Sequence, residues 1–149
     1  MKKKRIIISI LAIAIIGGGW FGYGEYSRKV KDLDRVKADL SMSAAEIISV
    51  FEKNEADANA KLLDKIIAVK GTVRKLEKND RGQYTIVLDD AGISSVRCSM
   101  NSVHVNDLQG ITEGNTVTVK GACTGFNHDE LLGSDVILNR CVLEKNNNQ

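Results

Sequence analysis

From Lys65 to Glu144 the apolar residues recur at every second position, in five runs separated by turn chemistry, so this part of the chain reads as strands. The first run, Ile66–Leu76, puts Ile67, Val69 and Val73 on one face, with Gly71 among them where a bulge or sharp bend is expected. Lys78-Asn79-Asp80-Arg81-Gly82 is a turn, and Gln83–Asp89 returns as the second strand of a hairpin. Asp90-Ala91-Gly92 turns again into a shorter run, Ser95–Met100. Ser102–Leu108 loses the alternation and reads as a weakly helical or irregular link. Glu113-Gly114-Asn115 then leads into Thr116–Cys123, the cleanest alternation in the chain, and Val136–Glu144 is the fifth run.

Three strands, a link and two more strands, with glycines at 71 and 121 to let strands curl, predict an all-β core built as a five-stranded Greek-key barrel, the OB-fold. Closing the barrel also removes the exposed edges that a lone small sheet would present. A five-stranded sandwich uses the same strands and stays open at this stage. Ahead of the strands, Ser43 and Glu46 have capping-box spacing, and an α-helix is expected from about Ala44 to Ala60. Ile47, Ile48 and Phe51 form its apolar face, continued by Ala58.

The amino-terminal region has a different character. Ile6–Gly24 runs without a charge, enough for about 28 Å of helix and close to the hydrocarbon thickness of a bilayer. Residues 1–5 hold four basic side chains, Lys2, Lys3, Lys4 and Arg5, which favour a cytoplasmic start. Trp20, Phe21, Tyr23 and Tyr26 fall where the far interface would lie. The expectation is a single-pass membrane protein: a cytoplasmic basic end at 1–5, a transmembrane anchor at 6–24, a helical stalk at 25–42, a helix plus OB domain at 43–145, and a frayed polar tail at 146–149. A cleaved signal peptide is the alternative reading of the apolar segment. In Ser27–Leu40, the residues Val30, Leu33, Val36 and Leu40 form a narrow stripe, expected either to face solvent on a stalk or to pair as a short coiled coil.

The runs FEKNEADANAKLLDKIIAVKGTV (Phe51–Val73), GNTVTVKGACTG (Gly114–Gly125) and DVILNRCVL (Asp135–Leu143) resemble the tRNA-anticodon-domain-like OB-fold family of bacterial membrane-anchored proteins and lipoproteins. The resemblance spans about two-thirds of the chain, from Ala44 to Leu143. It implies an export or anchor segment, then a helix and an OB barrel; with the basic start at Lys2–Arg5, the expected location is the bacterial inner membrane with the domain on the periplasmic side. It implies no particular activity. The segment Asn127-His128-Asp129-Glu130-Leu131 departs from the family pattern and looks like an insertion between the last two strands.

Three cysteines, at 98, 123 and 141, would meet an oxidising environment in an exported domain. Cys123 and Cys141 lie on strands expected to be neighbours, and a disulfide between them would contribute about 3 kcal/mol by loop closure. Pairing through Cys98, or no bridge at all, remain open. No nucleophile stands at a meaningful spacing from a base, and the hydrolase-elbow, phosphate-loop and zinc-protease motifs are lacking, so an enzyme is not expected, nor a cofactor or a metal centre. His104 reads as a surface or half-buried residue and Asp89-Asp90 as part of a turn.

OB barrels bind ligands across the face of their second and third strands. On that basis the candidate binding residues are Arg74, Lys75, Lys78, Arg81, Tyr84, Arg97 and Phe126. Beyond residue 5, seventeen basic residues face nineteen acidic ones, and the barrel holds only Tyr84 and Phe126 as rings, which disfavours nucleic acid. The expected partner is a protein, peptide or envelope glycan. A structural role, with homo-oligomers formed through the stalk, is the alternative, and a nucleic-acid-binding OB domain is a further one.

Overall fold

The computed structural model describes residues 32–89, 92–129, 131 and 133–144. The expected basic end, transmembrane anchor and polar tail, and the part of the expected stalk before Asp32, lie outside them. No helix among the described residues is long and apolar enough to cross a membrane.

The strands are β1 (Leu40–Ser43), β2 (Ile66–Lys78), β3 (Tyr84–Asp89), β4 (Ser95–Met100), β5 (Thr116–Asn127) and β6 (Asp135–Leu143). They join in the order β1-β2-β3-β4-β6-β5, and a further β2–β5 pairing closes β2 to β6 into a five-stranded barrel. β4 and β6 run parallel, and the other pairs within the barrel are antiparallel. This is the OB-fold topology. Strand β2 makes the closure possible: Ile66–Thr72 pairs with β5, and Thr72–Lys78 pairs with β3. The bulge in β2 falls between Val73 and Lys75, rather than at Gly71. Gly71 is needed for another reason: a Cβ there would lie 3.0 Å from Ala44 Cβ and 3.1 Å from Leu88 Cβ, where the helix closes on the barrel.

The helical segment begins where the capping box predicts. Ser43 Oγ accepts from the Glu46 N–H at 3.2 Å, and Glu46 Oε2 accepts from the Ser43 N–H at 2.7 Å. It does not run unbroken to Ala60. Asn54 adopts an extended backbone, and its side chain accepts from the Asp57 N–H at 3.2 Å, so it ends α1 (Ala44–Lys53) and caps α2 (Glu55–Leu62). Ala44, Ile47, Ile48, Phe51, Ala58 and Leu62 are buried on the end of the barrel core, among Ile67, Val69, Ile86, Leu88, Val119, Val136 and Leu138.

The helical stalk is corrected over its described part. Leu33–Arg35 is a single 3-10 turn capped by Asp32, Val36 is already extended, and Leu40–Ser43 is strand β1, parallel to β2. The predicted stripe therefore does not exist as one face. Leu33 is 2% exposed and packs with Ala122 and Val142, whereas Leu40 is 42% exposed. Burial of Leu33 and pairing of β1 outweigh the helical spacing, as tertiary contacts commonly do over propensity. Asp39 completes the junction, its N–H donating to the Ile66 carbonyl at 2.7 Å and its carboxylate accepting from the Ile66 N–H at 2.8 Å.

The Cys123–Cys141 bridge is also corrected: all three cysteines are free and buried. Register is the reason. Bulges between Lys120 and Ala122 and between Cys123 and Gly125 set Cys123 opposite Leu138, three positions from Cys141. The Cys141 side chain lies over Gly121, where any Cβ would sit 2.5 Å from its Sγ. Burial, and then the neighbouring Cys98 thiol, pushes the Cys141 thiol well above its usual range.

Candidate binding face

Strand alternation sends Leu76, Ile86 and Cys98 inward and their neighbours outward. The register sets Lys75 opposite Val87 and Val87 opposite Arg97; one step along, Glu77 faces Thr85 and Thr85 faces Ser99. The outward rows of β2, β3 and β4 therefore carry a short polar ladder. Glu77 is its centre, with Arg97 Nη2 at 2.6 Å and Lys75 Nζ at 3.2 Å from its carboxylate oxygens. The Lys75 ammonium, followed by the Arg97 guanidinium, holds the Glu77 carboxyl below its usual range against the opposing effect of partial burial.

Beside this ladder lies an open cleft of about 570 Å³, bounded by Lys75, Glu77 and Lys78 of β2, Thr85 of β3, Arg97 of β4 and Asn79 of the turn. Asn79 shapes that turn: its Oδ1 accepts from the backbone N–H of Arg81 at 3.0 Å and of Gln83 at 2.9 Å. Lys78 Nζ stands 5.3 Å from the centroid of the Tyr84 ring, a cation–π distance, and the ring's other contacts are with the core.

Of the residues singled out from sequence, Lys75, Lys78 and Arg97 line this cleft, with Tyr84 next to Lys78 and Arg81 exposed on the adjoining turn. Arg74 is placed differently. Its guanidinium bonds the Asp89 carboxylate and the carbonyls of Gly92, Ile93 at 3.3 Å and Ser94 at 3.2 Å, so it staples the β3–β4 turn to β2. Phe126 stacks on Phe51 with centroids 4.9 Å apart and planes 14° apart, joining β5 to α1. Glu77, Thr85 and Asn79 were missed by sequence reasoning. Glu77 was within reach, since two residues along a strand from Lys75 is the same face.

The face offers ammonium, guanidinium, amide and hydroxyl donors around one carboxylate. It can hold a ligand by hydrogen bonds and charge. Among the described residues no group of three His, Cys, Asp or Glu side chains is placed to hold a metal ion.

No curated protein matches the sequence. Among solved structures, a lipoprotein from Klebsiella pneumoniae subsp. pneumoniae, described as a candidate nucleic-acid binder, is similar at a TM-score of 0.55 and 18% identity, over 70% of this chain and 91% of that one. A candidate aspartyl-tRNA synthetase from Leishmania major aligns at a TM-score of 0.47 and 11% identity, over 85% of this chain and 26% of that one. The first likeness agrees with the barrel topology above. The model of the tRNA_anti-like family matches residues 1–142, nearly the whole chain, and so agrees with the resemblance read from Phe51–Val73, Gly114–Gly125 and Asp135–Leu143. The chain belongs to the tRNA_anti-like family of OB-fold domains.

Proposed function

We propose that this protein is a membrane-anchored, extracytoplasmic binding module, non-catalytic, whose β2–β3–β4 face recognises a protein segment, a peptide or an envelope glycan. The observation that carries the reading is the mixed charge of the cleft: Glu77 already engages Lys75 and Arg97, and the neighbouring ring, Tyr84, packs on the core with Lys78 over it. Such a face suits a ligand that brings both donors and acceptors. It suits a nucleic acid less, because single-strand binding uses several free rings along a basic groove and Phe126 is committed to Phe51. The uncharged run Ile6–Gly24, preceded by four basic residues, supports the anchored and exported part of the reading.

Calorimetric titration of the full chain in detergent with acidic peptides and with peptidoglycan fragments tests this. Arg97→Ala should weaken binding about fivefold, the loss of roughly one polar contact. A second reading, single-stranded nucleic acid, is favoured by Lys75, Lys78 and Arg97 exceeding Glu77 in charge and by the description of the Klebsiella structure. Tight oligonucleotide binding that falls steeply with salt and vanishes in Tyr84→Ala would establish it in place of the first. A reporter fused after Gln149 addresses location separately, because activity of a cytoplasm-only reporter would reverse the topology.

A further inference from the structure

Helix α1 has two flanks, and the barrel covers one. Ala44, Ile47, Ile48 and Phe51 are buried on it. Ala45, Glu46, Ser49, Val50 and Lys53 recur at helical spacing on the other flank, where with Ser41 and Met42 of β1 they line a cleft of about 540 Å³. Its floor is apolar and half-buried at Met42 and Val50, and Glu46 and Lys53 stand exposed at opposite ends. The far wall is β1, which among the described residues pairs with β2 alone.

We propose that two copies of this chain associate through this flank, with the α1 helices antiparallel about a two-fold axis between Ser49 and Val50. The charge pattern selects that occupant and that direction. Glu46 and Lys53 lie equally far from the axis, three residues before Ser49 and three after Val50. Antiparallel packing sets each Glu46 against Lys53 of the partner subunit, and the symmetry makes the pair twice. A parallel arrangement sets like charges together at both ends. Glu46 is prepared for the contact: both Ser43 bonds go to Oε2, which leaves Oε1 to accept from an ammonium. Lys53 has no ion pair of its own among the described residues. Ala45 and Ser49 carry little bulk, so the helices can approach closely.

Sedimentation of the detergent-solubilised full chain over a range of concentrations tests the proposal. A monomer–dimer equilibrium is expected. Lys53→Glu should weaken it on the order of tenfold, since two attractive exposed pairs become repulsive. Ser49→Cys should oxidise readily to a covalent dimer, whereas Asp80→Cys, on the β2–β3 turn, should not. Circular dichroism of each variant checks folding, and the surface cysteine variants test the geometry independently of Lys53→Glu. A chain that stays monomeric, a dimer that Lys53→Glu leaves unchanged, or equal cross-linking at 49 and 80 would each overturn the proposal. So would a monomer whose cleft captures a different protein.

Discussion

Gly121→Ala is the sharpest test of the packing between β5 and β6. The new methyl would sit 2.5 Å from Cys141 Sγ, 3.1 Å from Leu138 Cβ and 3.4 Å from the Asn139 carbonyl oxygen. Ordinary contact needs about 3.5–4.0 Å between such atoms, so the sulfur is about 1–1.5 Å too close. Cys141 is 0% exposed and Gly121 pairs with Ile67 on its other side, so neither strand has room to withdraw. Overpacking of this kind costs about 1–3 kcal/mol, and about 2 is expected here. Cys141→Ala alone removes the sulfur and leaves a small void, at about 1 kcal/mol. In the double variant the added methyl occupies the space the sulfur left, and the combined cost should fall to about 1 kcal/mol rather than the sum of about 3. Urea unfolding measures all four proteins. With a slope of about 1–2 kcal/mol/M, Gly121→Ala should lower the midpoint by about 1–2 M, and the double variant should recover most of it. Additivity of the two changes to within about 0.5 kcal/mol would show that the Cys141 side chain does not lie over Gly121, and the assigned register would be wrong.

Further outcomes follow from other contacts. Leu33→Ala should cost about 2–4 kcal/mol in unfolding free energy, because Leu33 is a buried residue of the domain; a free stalk residue would cost nearly nothing. His104 bonds Asp32 at 2.8 Å and Asp107 at 3.1 Å, and the Asp32 contact first, then Asp107, raises its pKa against desolvation. Its stabilisation is thus full below about pH 6.5 and is lost as pH rises through the folded value. Asp32, lowered chiefly by the same His104 bond, adds stability above its ordinary carboxylate range that is lost on acidification. Unfolding midpoints should therefore decline between pH 6 and 8, and the decline should flatten in His104→Gln. Thiol titration of the unreduced protein should find three groups after unfolding and almost none before, since all three cysteines are free and 0% exposed. Finding one would restore a disulfide.

The barrel was legible because its signals are local. Alternation marks all five strands to within a few residues, and the Ser43–Glu46 spacing marks the start of α1. What escaped depended on residues far apart in sequence. Leu33 looked like part of a helical stripe until Ala122 and Val142 came to meet it. The Asn54 break is a contest between two helices that spacing alone does not settle. The cysteine pairing failed because two bulges moved the β5–β6 register, and bulges leave no mark in an alternating pattern. At the candidate face, the rule that OB barrels bind across their second and third strands pointed to Lys75, Lys78 and Arg97. The same rule does not tell that Arg74 spends its guanidinium on the turn at Gly92–Ser94, or that Phe126 is half-buried against Phe51.

The place of β6 has a consequence for biosynthesis. It inserts between β4 and β5, so until residues 135–143 leave the ribosome both neighbours present bare backbone along one side. Nascent chains that have emerged only as far as Ser134 would hold the first hairpin and the β2–β5 ladder with the gap unfilled, a form prone to sticking to its own kind. Such intermediates should recruit holding chaperones in proportion to the length of the pause.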